Sequence, residues 1–328
     1  MKVGKISETI LKRSIFKQIR TKRGEVLLGA GVGEDCAALK LEPGEVFVIS
    51  TDPITGTVKD VGTLAVQVTV NDLASSGAEP VGVMLTVLLP EEITEEDIKE
   101  MMCQVEEACA GANIQVMGGH TEVTKAVNQP VISVAGVGKA REGRLISTAG
   151  AKAGQDILVT KWIGIEGTSI IAKEKEKELR TRFSADFVDT AKGFDQYLSV
   201  LPEARLAADF GVSAMHDVTE GGIYGALWEL AEASGVGLEI DLKAVPIRQE
   251  TVEVCEYFGL NPYYLISSGC MLMASDRGHD LARELQKAGI SAAVIGKAVE
   301  GKARRILNGE EESFLERPKT DELYKIYK

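Results

Sequence analysis

The segment VNDLASSGAEP, from Val70 to Pro80, links a predicted helix to a predicted strand. The apolar spacing from Leu64 to Ser76 fits one face of a helix, although its β-branched residues also favour a strand, and we predict a helix. The run VGVMLTVLL, from Val81 to Leu89, is continuously apolar and predicts a buried strand. Helix followed by strand is the unit that builds an α/β fold.

The same alternation continues on both sides of this segment. Upstream, VFVIS at 46–50 predicts a strand that Pro53 ends. Downstream, Thr94 with Asp97 three residues later marks the start of the strongest helix in the chain. Strands are then predicted at 114–117 and 131–137. The first half is therefore α/β.

The second half repeats the pattern after a break. Residues 141–155, REGRLISTAGAKAGQ, are small and polar, and a chain of 328 residues suits two domains. We predict domains at 1–148 and 149–328. The predicted strands of the second half are 157–160, 237–240, 269–274 and 291–296, and its predicted helices are 219–234 and 280–288.

Composition excludes several classes of protein. Lysine and arginine number 37 against 49 acidic residues, and the net charge of -12 offers no surface for nucleic acid. No secretory signal and no apolar stretch of about 20 residues is present, so we expect a cytoplasmic protein with no membrane contact. The five cysteines contain no CxxC pair, which argues against zinc or a disulfide framework and favours buried free thiols.

The glycine run GAGVGEDCAALKL, from Gly29 to Leu41, suggests a phosphate site of some kind. A Walker A loop requires glycine, lysine and then serine or threonine, but both Gly-Lys pairs of this chain are followed by alanine. A dinucleotide loop requires a third glycine where Glu34 stands, and a helix after it. Spacing therefore excludes both common loops.

Carboxylates instead recur at the edges of apolar segments: Asp35, Asp52, Asp72 and Asp217. Magnesium prefers such hard oxygen ligands, and it neutralises the charge on a phosphoryl group during transfer. Any one of these aspartates could equally cap a turn. His216 beside Asp217 could bind substrate or serve only the structure.

Taken in order, five segments resemble the signature motifs of the aminoimidazole ribonucleotide synthetase superfamily, with a PurM-like fold. They are GVGEDCAAL at 31–39, STDPITGT at 50–57, VNDLASSGAEP at 70–80, MGGHTEV at 117–123 and AMHDVTEGG at 214–222. The superfamily also contains hydrogenase expression/formation proteins of the HypE type, thiamine-monophosphate kinase and selenophosphate synthetase. The HypE type is the most similar of these.

The resemblance implies a two-domain α/β (α+β) fold in which the first domain binds ATP and pairs with a second copy into a dimeric β-barrel. It implies Mg²⁺ and ATP as cofactors and an amide or carboxyl oxygen of a small substrate as phosphoryl acceptor. The residues that match a magnesium site are Asp35, Asp52 and Asp72. Those that match ATP contacts also include Gly31, Gly33, Gly118 and Gly119, whose backbone could approach phosphates. Asp72 and Asp217 match catalytic positions, and we add His120 as a third catalytic candidate.

Two departures from the family pattern bear on function. His120 replaces the carboxylate that usually follows the paired glycines, and it could contact a phosphate or only a neighbouring carbonyl. HypE-type proteins carry a carbamoyl group on a terminal cysteine, whereas this sequence ends ERPKTDELYKIYK and its last cysteine is Cys270. A different acceptor is therefore expected. The alternatives are a kinase resembling thiamine-monophosphate kinase, or a non-catalytic nucleotide-binding scaffold that associates with hydrogenase maturation proteins.

Overall fold

The computed structural model describes residues 1, 3–32, 34, 36–55, 60–317 and 319–327. The chain forms two compact units. Unit 1 consists of Met1–Ala74 and Ala78–Leu145, and unit 2 of Ser75–Gly77 and Ile146–Lys328. The predicted assignment of ATP binding and pairing to residues 1–148, and of the second domain to 149–328, stays a prediction.

Unit 1 contains seven strands and three helices in its described residues. The strands are β1 Gly4–Lys5, β2 Val26–Leu28, β3 Ala38–Leu39, β4 Glu45–Ile54, β5 Glu79–Leu89, β6 Gln115–Val123 and β7 Val131–Arg141. The helices are α1 Glu8–Ile10, which continues as a π-helix over Leu11–Phe16, α2 Val61–Ser75 and α3 Glu95–Ala112. Five strands form one mixed sheet in the order β1-β6-β5-β7-β4, and β2 and β3 form a separate hairpin.

Unit 2 is built on a larger mixed sheet. Its strands are β8 Asp156–Thr160, β9 Ala214–Asp217, β10 Gly237–Asp241, β11 Met271–Ser275, β12 Ala292–Val299, β13 Arg304–Asn308 and β14 Glu311–Phe314. They lie in the order β14-β13-β10-β12-β8-β11-β9. Its helices are α4 Ile165–Glu174, α5 Glu176–Leu179, α6 Ala185–Lys192, α7 Leu201–Phe210, α8 Gly222–Ser234, α9 Gln249–Phe258 and α10 Gly278–Lys287.

The structure confirms the mixed α/β architecture and the helix over 64–76. It also confirms the start of α3, where Thr94 and Asp97 form a reciprocal capping box. The strand predicted at 46–50 is longer than expected, because β4 continues through Pro53 to Ile54. It tolerates proline because it is an edge strand that pairs only with β7. Helix α8 begins at Gly222, three residues later than predicted.

The cysteines differ in part from the prediction of buried thiols. Cys109, Cys255 and Cys270 are buried, but Cys36 is exposed and Cys103 is half-buried. Burial raises the pKa of the Cys255 thiol and of the Cys270 thiol to about 12, so both stay protonated at neutral pH. Among the described residues, every helix is too short or too polar to span a bilayer.

Candidate functional site

The glycine run is carried by the hairpin of β2 and β3. The hairpin is held against β6, where Arg23 N–H donates to Gln115 Oε1 at 2.8 Å. At Gly29 a Cβ atom would lie 2.7 Å from Gln115 Nε2, so the absent side chain lets the run approach the sheet. Where it is described, the run contains no helix, as expected for a loop that is not a dinucleotide fingerprint. Gly33 and Asp35 lie outside the described residues.

Asp52 and Asp72 meet at one hydroxyl group. Ser50 Oγ donates to Asp72 Oδ2, and it lies 3.4 Å from Asp52 Oδ2. Both carboxylates are half-buried. Asp52 and Ser50 lie two residues apart on β4 and therefore share a face of the sheet, while Asp72 comes from α2. Tertiary structure thus joins two of the predicted residues.

A glycine makes this meeting possible. Gly136 on β7 is the cross-strand partner of Ser50. A Cβ atom at Gly136 would lie 2.3 Å from Thr69 Cγ2 and 3.1 Å from Leu73 Cδ1, both on α2. Because no side chain stands there, α2 packs directly on the sheet, and Asp72 reaches the face that carries Ser50.

The oxygen atoms of Ser50, Asp52 and Asp72 are of the kind that binds a magnesium ion. Two carboxylates and a hydroxyl are hard oxygen ligands, which magnesium binds together with water and phosphate oxygens. Across the part of the chain that the structure describes, no three His, Cys, Asp or Glu side chains are grouped closely enough to hold a metal. Since Asp35 falls outside that part, the predicted trio of Asp35, Asp52 and Asp72 stays a prediction.

The paired glycines and His120 lie in the middle of β6. Gly119 has a φ of +145°, and a Cβ there would lie 2.0 Å from the Leu85 carbonyl oxygen, so only glycine fits. His120 is 47% exposed, and its Nε2 lies 3.2 Å from Glu122 Oε2. His120 therefore contacts a carboxylate rather than the carbonyl that sequence reasoning considered.

Two cavities adjoin these residues. The smaller, of about 100 Å³, lies between β6 and the amino-terminal helix and is lined by Gly31, Gly118, Gly119 and His120. The larger, of about 480 Å³, shares Lys5, Glu34, Gly119 and His120 with it and adds three hydroxyl side chains, those of Thr51, Thr86 and Ser133. Sequence reasoning missed these hydroxyls. For Thr86 the sequence signal was a single polar residue within the apolar run VGVMLTVLL.

The strand register places the two groups of predicted residues on opposite faces of the sheet. Ser50 pairs with Gly136, which faces α2. His120 pairs with Thr86, and Thr86 pairs with Ser133, which belongs to the other set of alternating positions on β7. The carboxylates Asp52 and Asp72 thus occupy the helix-covered face, and His120 with its neighbouring hydroxyls occupies the other.

The predicted residues of unit 2 lie at the end of β9. Asp217 is buried, whereas His216 points to the opposite side. His216 Nε2 lies 2.8 Å from Glu229 Oε2 and its Nδ1 lies 3.4 Å from Thr148 Oγ1. These contacts tie β9 to α8. Two glycines with positive φ, Gly221 and Gly222, follow and start α8.

Glu166 is a further buried acid that sequence reasoning missed. It lies in the first turn of α4 and is 5% exposed. Burial is the main cause that raises the pKa of Glu166 to about 7, and the negative charges of Asp321 and Glu220 contribute to the same shift. Its signal was the single charge in the apolar segment WIGIEGTSII, 162–171.

Two family models match the chain. The model described as AIR synthase related protein, N-terminal domain, matches residues 33–140. The model described as AIR synthase related protein, C-terminal domain, matches residues 152–307. Together these matches span most of the 328 residues.

Proteins and structures similar to this chain carry related names. A protein of Methanocaldococcus jannaschii named as a hydrogenase expression/formation protein is 30% identical over 90% of this chain and 88% of its own. A carbamoyl dehydratase HypE of Cupriavidus necator is 30% identical over 78% of this chain and 76% of its own. A crystal structure of the hydrogenase maturation protein HypE in complex with ATP covers 98% of this chain and 97% of its own. Its TM-score is 0.82 at 21% identity, which shows the shared fold.

Proposed function

Because this chain belongs to the AIR synthase related protein family, we propose that it is an ATP- and magnesium-dependent enzyme that activates an amide or carboxyl oxygen of a small substrate. The observation that carries the proposal is the pair Asp52 and Asp72, held at Ser50 within unit 1. The names of the relatives support it: one is a carbamoyl dehydratase, and a protein of the same fold was crystallised with ATP.

We assign the following roles to the candidate site residues of unit 1. Asp52 and Asp72 hold magnesium, which, when bound, neutralises the charge of the phosphates. Ser50 orients both carboxylates through its hydroxyl group. Gly31, Gly118 and Gly119 let phosphate oxygens approach backbone N–H groups. His120 lies with Lys5 at a cavity on the other face of the sheet, and we assign it to groups of ATP or substrate that do not contact the ion.

The acceptor is assigned to the motif of unit 2 that contains Asp217. An amide oxygen is a poor leaving group until it takes the γ-phosphoryl group, at which point the bond between that phosphorus and ADP breaks. When the oxygen departs with phosphate and the nitrogen loses two protons, a nitrile remains. Such a loss of the elements of water is what the name carbamoyl dehydratase describes for the relative.

We propose in addition that the protein is a homodimer and works in the cytoplasm with other hydrogenase maturation proteins. Phe47 and Ile49 of β4 are 48% and 69% exposed, and they lie on the sheet face opposite α2. Exposed apolar side chains on one sheet face are typical of an interface. A second copy of unit 1 would cover them. The names of the relatives support the link to hydrogenase maturation.

Calorimetry with ATP at saturating magnesium tests the proposal. Asp52→Asn and Asp72→Asn each remove one negative charge from the proposed ion site, so we expect ATP to bind at least tenfold more weakly, or about 1.4 kcal/mol. Both variants should also lose single-turnover ATP cleavage. In EDTA the difference from the wild type should disappear, because the carboxylates act through the ion.

Asp280→Asn is the matched control. Asp280 lies on α10 in unit 2, where its side chain is 46% exposed and forms an ion pair with Arg283, so its variant should bind ATP as the wild type does. Unchanged ATP affinity and turnover in both Asp52→Asn and Asp72→Asn would contradict the proposal. Tight ATP binding without cleavage in the presence of any acceptor would instead favour the non-catalytic scaffold.

A further inference from the structure

Residues 321–327 of unit 2 are packed onto the glycine turn that precedes α8. This C-terminal segment, residues 321–327, ends in the short helix Glu322–Tyr327. Leu323 and Ile326 are buried in the cluster formed with α4, α6 and α9. Burial of these two large apolar side chains anchors the segment. The segment is therefore a fixed part of unit 2.

Two side chains of the segment reach the glycine turn, Thr219–Gly222. The buried carboxylate of Asp321 accepts from Gly221 N–H at 2.7 Å and from Leu323 N–H at 2.8 Å. Tyr324 Oη donates to Glu220 Oε1 at 2.8 Å. This hydrogen bond raises the pKa of the Tyr324 phenol to about 12, so it remains a donor at neutral pH.

The conformation of the turn needs such support. Gly221 and Gly222 have φ values of +82° and +60°. A Cβ at Gly222 would lie 2.6 Å from the Tyr263 carbonyl oxygen, so the turn packs closely against the backbone of residues 263–265 of the same chain. On the other side, the Asp321 carboxylate accepts a hydrogen bond from Gly221 N–H, and the Tyr324 hydroxyl donates one to Glu220. Two consecutive residues in the left-handed region are held there by this surrounding structure.

Burying the carboxyl groups around the turn lowers the stability of the folded protein. Glu166 is buried beside Asp321 and Glu220, and Glu166 Oε2 finds no hydrogen-bond partner in the described ranges. A buried polar atom without a partner lowers stability. Local violations of this kind concentrate where function requires a particular geometry. We therefore expect the backbone conformation of this turn to be required for function.

From these contacts we infer that Asp321 and Tyr324 are positioning residues: the C-terminal segment holds the glycine turn, and with it the Asp217 motif, in the geometry that acceptor chemistry requires. The inference rests on the proposed function, because it assigns the Asp217 motif to the acceptor. It gives residues 321–327 of this chain a positioning part in the reaction.

Amide hydrogen exchange combined with steady-state ATP turnover tests this inference. Asp321→Asn keeps the size of the side chain but replaces one accepting oxygen with an amide N–H₂ group, which cannot accept from the backbone N–H groups. Tyr324→Phe removes the hydroxyl that donates to Glu220. In both variants we expect exchange at Gly221 and Gly222 to rise at least tenfold. We also expect kcat to fall at least fivefold with the KM for ATP unchanged, because ATP is assigned to unit 1. A purely structural role would leave kcat unchanged in the folded fraction.

Lys325→Gln is the matched control, since Lys325 belongs to the same segment but, among the described residues, forms its ion pair with Glu322 rather than with the turn. It should match the wild type in both measurements. Unchanged exchange at the turn in both test variants would overturn the inference, and so would faster exchange with unchanged kcat. If the wild-type protein itself failed to cleave ATP, the proposed function would be lost, while the exchange data would still report whether the segment holds the turn.

Discussion

At the scale of single residues, the candidate site depends on one position without a side chain. Asp52 and Asp72 stand twenty residues apart, and their shared contact with Ser50 exists only because Gly136 lets α2 lie against the sheet. A sequence pattern can show that carboxylates recur. It cannot show that a glycine some sixty residues later controls the distance between them, because that distance depends on packing.

Gly136→Ala should therefore impair both folding and ATP binding. The new methyl group would lie 2.3 Å from Thr69 Cγ2, so α2 must move away from the sheet and carry Asp72 away from Ser50. We expect a loss of about 1–3 kcal/mol in the free energy of unfolding, as for other overpacked cores. Urea denaturation and ATP calorimetry measure the two effects.

Gly111→Ala serves as the comparison for this substitution. Gly111 lies in α3 with nothing within 4 Å of the position of its Cβ, so alanine should stabilise the helix by roughly 0.5–1 kcal/mol and leave ATP binding unchanged. Equal stability of Gly136→Ala and the wild type would show that the contact of α2 with the sheet is not set by Gly136.

At the scale of elements, a cluster of charged side chains fastens the hairpin with the glycine run to the sheet. Arg23 contacts Glu25 at 2.8 Å and Glu79 of β5 at 2.7 Å, while Lys139 of β7 contacts Glu25 at 2.9 Å. The Arg23 side chain is only 8% exposed. The hydrogen bond from Arg23 lowers the pKa of the Glu25 carboxyl to about 2. The cluster therefore depends on an ionised Glu25.

At acidic pH, protonation of Glu25 should weaken the attachment of this hairpin to the sheet and lower the stability of the protein. Its folded-state pKa of about 2 lies below the ordinary value of 4.5, so its contribution to stability is complete above pH 4.5. That contribution is lost as the pH falls from 4.5 towards 2. In Glu25→Gln the charge is absent at every pH. We expect this variant to be less stable at pH 7 and to lose less stability on acidification, as measured by urea denaturation at several pH values.

Glu42→Gln is the matched control for Glu25→Gln. Glu42 forms an exposed ion pair with Lys40 at 3.2 Å, and such pairs contribute little. Its pH profile should follow that of the wild type. Parallel pH profiles for Glu25→Gln and the wild type would show that the cluster does not depend on the charge of Glu25.

At the scale of the whole molecule, the proposed dimer would explain the exposed apolar residues of unit 1. The α2-covered face of the sheet carries a buried core, whereas the opposite face of β4 presents Phe47 and Ile49 to solvent. Covering such a surface with a second copy buries apolar area on both chains at once. The dimer and its barrel stay predictions until the assembly is measured.

Phe47→Glu and Ile49→Glu should convert the protein to monomers. A charge on each copy would be buried without a partner in the interface, which is strongly unfavourable. Light scattering after size-exclusion chromatography should give about twice 35.2 kDa for the wild type and a single chain mass for the double variant. Phe314→Glu, on β14 of unit 2 and 64% exposed, should leave the mass unchanged. A monomeric wild-type protein would contradict the proposed dimer.

The sequence by itself determined the α/β class, the start of α3 and the family. These follow from local signals: apolar periodicity, a capping pair three residues apart, and motifs that keep their order along the chain. It also pointed to Asp52, Asp72 and His120 as candidates. Local patterns sufficed because each signal lies within one or two elements.

Tertiary structure alone decided which of these residues meet. It brought Asp52 and Asp72 to Ser50, set His120 with Thr86 and Ser133 on the other face, and turned His216 towards Glu229. It also placed Asp321 against Gly221, one hundred residues away in the chain. Such contacts depend on strand register and on helix packing at glycine positions, which no local pattern specifies because they arise between elements distant in sequence.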